Sequence, residues 1–123
     1  MATILVVDDD EPILKLMQDI LEPEGHSVLT APNGRDALSV VKHDRPDLII
    51  SDIMMPLLSG PDMCLWIKLD PNYSSIPVVL MSAVSNKPDP DSCDYNAFLA
   101  KPFELHELLS VVDQMLPRSF GSR

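Results

Sequence analysis

Asp8 and Asp9 follow the apolar run Thr3–Val7, Asp52 closes Leu48–Ser51, Ser82 closes Pro77–Met81, and Lys101 follows Ala97–Ala100. Three carboxylates, one hydroxyl and one ammonium each stand behind a short β-favouring stretch. Two carboxylates about 4 Å apart repel by roughly 4 kcal/mol at an effective dielectric near 20, and one lysine offsets only part of a three-acid cluster. A divalent cation completes such a set. Magnesium favours oxygen ligands and is commonly held by one or two carboxylates plus phosphate oxygens. The chemistry these groups suit is phosphoryl transfer, in which positioning and charge neutralisation supply most of the catalysis and a carboxylate can serve as nucleophile.

Each residue also has a plainer reading. An acid at a strand end often serves a turn, Asp10 and Glu11 suit a helix start, and a lone serine is often an ordinary buried hydroxyl. The scattered methionines look like core and loop filler, and Cys64 like a small buried hydrophobe. His26, His43 and His106 lie apart, near turns or on a helix face, and are expected at the surface.

The apolar runs must be strands if these groups are to meet. Thr3–Val7, Ser27–Ala31, Leu48–Ser51, Pro77–Ser82 and Ala97–Ala100 read as five short strands. Helical periodicity joins most of them: Ile13 to Leu21, stopped by Pro23 and Gly25; Ala37 to Val41, after the turn signal Asn33-Gly34; Met63 to Leu69, stopped by Pro71; and Glu104 to Leu116. Alternation of this kind predicts a doubly wound parallel sheet, and in such a sheet side chains leaving the C-terminal strand ends converge on one edge.

The 123 residues suit one domain, with 46% apolar and 5% aromatic residues implying an aliphatic core. A formal net charge of −10 opposes direct binding to nucleic acid and to anionic membranes. No apolar run approaches the roughly 20 residues of a membrane span. Cys64 and Cys93 lack a CxxC partner, so reduced thiols in a cytoplasmic protein are expected.

Val6-Val7-Asp8-Asp9-Asp10, Leu48-Ile49-Ile50-Ser51-Asp52 with Met55-Pro56 and Ser59-Gly60 behind it, Val79-Leu80-Met81-Ser82-Ala83 and Phe98-Leu99-Ala100-Lys101-Pro102-Phe103 follow one another at suitable spacing. In these motifs the chain closely resembles the receiver domain of two-component response regulators, from Ile4 to about Leu116. The resemblance implies a flavodoxin-like five-stranded sheet in the order 2-1-3-4-5. It implies that Asp52 is the phosphoacceptor, supplied by a sensor histidine kinase, a phosphotransfer protein or a small phosphodonor. Asp8, Asp9, Asp52 and the backbone carbonyl of Met54 would position Mg2+. Ser82 would move to bind the phosphoryl group, Lys101 would pair with the acceptor and then with phosphoryl oxygens, and Phe98 would be the aromatic switch. The resemblance also implies a cis Lys101–Pro102 bond, and a receiver over residues 1–117 followed by a tail or linker at 118–123. Met54 and Val84 stand at the family's variable positions, where apolar side chains are expected to slow hydrolysis of the phosphoryl group.

The chain departs from the family between Ser82 and Lys101. Pro88 and Pro90 fall where a fourth helix should run, and proline inside a helix costs about 3 kcal/mol, so that helix is expected to be short or missing. Family-type dimerisation through the face from helix four to helix five is doubtful in consequence. Two other classes compete with a phosphorylatable receiver. A pseudo-receiver would bind partners without phosphorylation, and a phosphatase of the haloacid dehalogenase type would want Asp-x-Asp-x-Thr or Val after the first strand, where this chain has Asp8-Asp9-Asp10-Glu11-Pro12.

Overall fold

The computed structural model describes residues 2–83 and 93–116. Five parallel strands, β1 (Thr3–Val7), β2 (Ser27–Ala31), β3 (Leu48–Asp52), β4 (Val78–Ser82) and β5 (Ala97–Ala100), form one sheet in the order β2-β1-β3-β4-β5. Among the described residues four α-helices accompany them: α1 (Glu11–Leu21), followed by a short 3-10 turn at Glu22–Glu24, α2 (Gly34–Asp44), α3 (Gly60–Leu69) and α4 (Leu105–Met115). This is the doubly wound order that the resemblance implied. The fourth-helix expectation, like the one for Val84, falls on residues 84–92 and lies outside the described residues, as does the tail beyond Leu116.

Strand alternation explains the two layers. Ile4, Val6, Leu48, Ile50, Val79 and Met81 point into a core shared with Met17, Leu21, Leu108 and Val112 of α1 and α4. Their neighbours Leu5, Val7, Ile49, Val78 and Leu80 point the other way, against Ala37, Val41, Met63, Cys64 and Ile67 of α2 and α3. Strands buried on both faces must be apolar throughout, and so the runs read as continuous rather than alternating in the sequence.

Local chemistry sets the element ends. Pro12 stands in the first turn of α1, where its missing N–H costs nothing. Asn33 is extended and caps α2 by accepting the Asp36 N–H at 2.8 Å, so the Asn-Gly pair starts a helix rather than closing a hairpin. Pro77 accepts from the Ile49 N–H at 3.0 Å but has no donor of its own, and β4 begins one residue later than expected. Glu104 is the cap of α4, its N–H bonded to the Glu107 carboxylate at 2.8 Å. Asn96 ties β5 to β4 with its N–H on the Val78 carbonyl and its side chain on the Val78 N–H, both at 2.8 Å.

His26 corrects the surface expectation made for all three histidines: it is buried, whereas His43 and His106 are exposed. Gly25, at φ 95°, turns the chain back into β2, and Ser27 donates to the Ala2 carbonyl at 2.8 Å, which draws the intervening residue into the packing. Cys64 and Cys93 are buried free thiols, as expected for Cys64.

Candidate functional site

Backbone pairing continues one residue past three strand ends, and those residues carry or adjoin the polar groups. Asp8 N–H donates to Ala31 at 3.1 Å, Ile53 N–H, next to Asp52, donates to Met81 at 3.1 Å, and Lys101 N–H donates to Ser82 at 2.8 Å. The side chains therefore leave a rigid edge rather than a loose loop. Register completes the placement, with Asp52 level with Met81 and Ser82 level with Ala100.

Carboxylate oxygens of Asp8, Asp9 and Asp52 all lie within 4.8 Å of one another. Asp8 is buried, Asp52 half-buried and Asp9 exposed. Asp8 is fixed at both oxygens: Oδ1 accepts the Asp10 N–H at 3.0 Å and Oδ2 accepts from Lys101 Nζ at 2.8 Å. The same ammonium stands 3.5 Å from Asp52 Oδ1. Asp52 thus has two acids and one cation within reach.

The electrostatics match this crowding. Burial pushes the Asp52 carboxyl above its ordinary range and the charge on Asp8 pushes it further, while Lys101 and the Ile53 N–H offset only part of the rise. For Lys101, burial alone would favour the neutral amine. The hydrogen bond to Asp8 and the charges of Asp52 and Asp8 outweigh burial and raise its proton affinity. Three acids against one lysine leave an oxygen-rich, net-negative cluster, the donor set that suits a hard divalent cation.

The structure brings Asp8, Asp9, Asp52 and Lys101 together directly. Ser82, buried at the end of β4, stands one strand from Asp52, and Phe98, in β5, is partly buried against the layer of α2 and α3. Met54 follows β3 with its side chain exposed. The Lys101–Pro102 bond is cis, as expected.

Residues named in the motifs also have supporting contacts that sequence reasoning did not find. Ser51 Oγ donates to the Asp52 carbonyl at 2.9 Å and stands 3.9 Å from Met55 Sδ, bracing the turn out of β3. Gly60 and Gly34 permit close approaches: a Cβ on Gly60 would run into the Asp52 carbonyl oxygen, and one on Gly34 into the Leu58 carbonyl. Gly60 also donates its N–H to Ile53 at 2.9 Å, clamping the β3–α3 loop beside the acid. Glycine at a helix start was the available signal, but sequence does not reveal which backbone it touches.

Comparison with known proteins finds matches over most of the chain. The family model described as the response regulator receiver domain matches residues 4–113. The polar-differentiation response regulator DivK of Brucella anthropi is 30% identical over 119 residues, covering 93% of this chain and 95% of that relative. Among solved structures, the signal receiver domain of a signal transduction histidine kinase from Syntrophus aciditrophicus is 34% identical with a TM-score of 0.84, over 94% of this chain and 90% of that one. The receiver domain of the sensor histidine kinase PA1611 from Pseudomonas aeruginosa, solved with a magnesium ion coordinated in its active site cleft, is 26% identical with a TM-score of 0.84 over 98% of each chain.

Proposed function

The chain belongs to the response regulator receiver family, and from that membership we propose that it is a phosphorylation switch whose acceptor is Asp52. The observation that carries the proposal is the placement of the Asp52 carboxylate between two further acids, all within 4.8 Å, and the Lys101 ammonium at 3.5 Å. A nucleophile, a cation site and a charge-neutralising lysine meet at one edge. Asp52 attacks the phosphorus of a histidine phosphoramidate or of a small acyl phosphate. An O–P bond forms as the donor's N–P or O–P bond breaks, and the donor departs with the bonding electron pair.

Asp8, Asp9 and Asp52, with the Met54 backbone carbonyl, would hold magnesium, which supplies neutralisation of the acids and of the incoming phosphoryl oxygens. Lys101 orients Asp52 beforehand and then pairs with a phosphoryl oxygen. Ser82 turns its hydroxyl to another, and Phe98 repacks as Ser82 moves. The donor is a sensor histidine kinase or a phosphotransfer protein. A receiver unit over residues 1–117, with 118–123 as a tail or the start of a linker, works in the cytoplasm, a compartment suited to the free thiols of Cys64 and Cys93.

The assignment to one residue is tested by borohydride after treatment with acetyl phosphate and magnesium. An acyl phosphate is reduced to an alcohol, so peptide mapping is expected to find homoserine in place of Asp52. Homoserine at Asp8 or Asp9 instead would move the acceptor and overturn the assignment.

A further inference from the structure

Among the described residues seven large apolar side chains are exposed. Five of them, Met54, Leu57, Leu65, Trp66 and Leu69, belong to the β3–α3 loop and to α3. Single exposed leucines need no explanation, but a cluster on one element does. Asp62, Leu65, Trp66, Leu69 and Asp70 recur at i, i+3, i+4, i+7 and i+8, so they share one face of α3 and its C-cap. Trp66 is 63% exposed and Leu69 74%. A groove runs along each side of Trp66, one completed by Pro71 and the other by Leu38 and Tyr73.

Charge indicates what covers this face. Asp62 and Asp70 bracket the apolar stripe at its two ends. Lys68, the one lysine of α3, is taken up by the carbonyls of Ser74 at 3.3 Å and Ile76 at 2.7 Å, and Lys42 lies across the groove on α2. A second copy fits poorly, because antiparallel pairing about Trp66 sets Asp62 of each copy against Asp70 of the other, between chains that each carry −10.

We propose that the α3 face docks a basic amphipathic helix of another protein, whose apolar stripe seats on Leu65, Trp66 and Leu69 while its lysines or arginines meet Asp62 and Asp70. Helices lying apolar side down in a groove, with charges at the rim, are a recurrent mode of recognition, and tryptophan is a frequent anchor.

Trp66 is the chain's one tryptophan, so its emission reports on the face directly. The probe is a synthetic helical peptide with leucine at i, i+3, i+4 and i+7 and lysine or arginine elsewhere, compared with the same leucine stripe carried on glutamate. Only the basic peptide is expected to shift the emission to the blue, saturably and less so at high salt. Leu69→Ser, and separately Asp62→Asn with Asp70→Asn, are expected to weaken it by about 10-fold with the circular dichroism unchanged. Three results would each overturn the proposal: no shift up to about 1 mM peptide, an equal response to the glutamate peptide, or a shift produced by protein concentration alone, which would make the occupant a second copy.

Discussion

Asp8 constrains the site more than any other residue, since it is buried and both its oxygens are committed. Removing Lys101 leaves that charge buried without its cation, and Lys101→Ala is expected to lose about 2–3 kcal/mol in urea unfolding, somewhat less than the roughly 3–5 kcal/mol for breaking a fully buried pair from one side, because the Lys101 side chain is partly exposed. Asp52 behaves oppositely. Its folded pKa lies above the unfolded one, so the folded state holds the extra proton, and stability falls as pH rises through that window and then levels above the folded pKa. Asp52→Asn removes the repulsion and should be more stable at pH 7 by about 1 kcal/mol, or roughly 3–5 °C in Tm. Calorimetry on the variant checks this, and a Tm below that of the parent contradicts it. These residues were legible because each ends an apolar run. Ser51 and His26 were not, since a serine inside a strand and a histidine before one carry no mark of what they pack against.

At the scale of elements, the β3–α3 loop joins the acceptor strand to the helix with the exposed apolar face. Leu57 holds φ 70°, a conformation leucine adopts only under constraint, and Gly60 lies against the Asp52 carbonyl. Gly60→Ala forces that carbonyl or the start of α3 to move, and is expected to cost about 2–3 kcal/mol and to slow phosphorylation by acetyl phosphate. Unfolding and adduct-formation rates measured on the same variant separate the two effects. Strands were readable as continuous apolar runs, because a doubly covered parallel strand has to be apolar throughout, and helices from their periodicity. Boundaries were less so: Pro77 enters the sheet as an acceptor only, and Asn33 caps a helix where its pairing with glycine suggested a turn.

Across the whole molecule, 19 acidic residues face 9 lysines and arginines, and three of the acids cluster at the C-terminal edge of the sheet. Monovalent salt should raise Tm modestly by screening this repulsion, and millimolar magnesium should raise it further through the acidic cluster, an increment absent in Asp8→Asn and reduced in Asp52→Asn. The increment should also shrink at acid pH, as protonation of Asp52 competes with the ion. The order 2-1-3-4-5 follows from no single motif. It emerged because four motifs, each ordinary alone, fell in the sequence of one family, whereas the exposure of Leu65, Trp66 and Leu69 on one face of α3, between two acids, became visible only in the fold. The most direct test of the central claim is intact-protein mass spectrometry after incubation with acetyl phosphate and magnesium. One phosphoryl adduct is predicted on the parent chain, lost in Asp52→Asn and lost on chelation of the metal; an adduct that persists in Asp52→Asn, or none on the parent under any of these conditions, would contradict it.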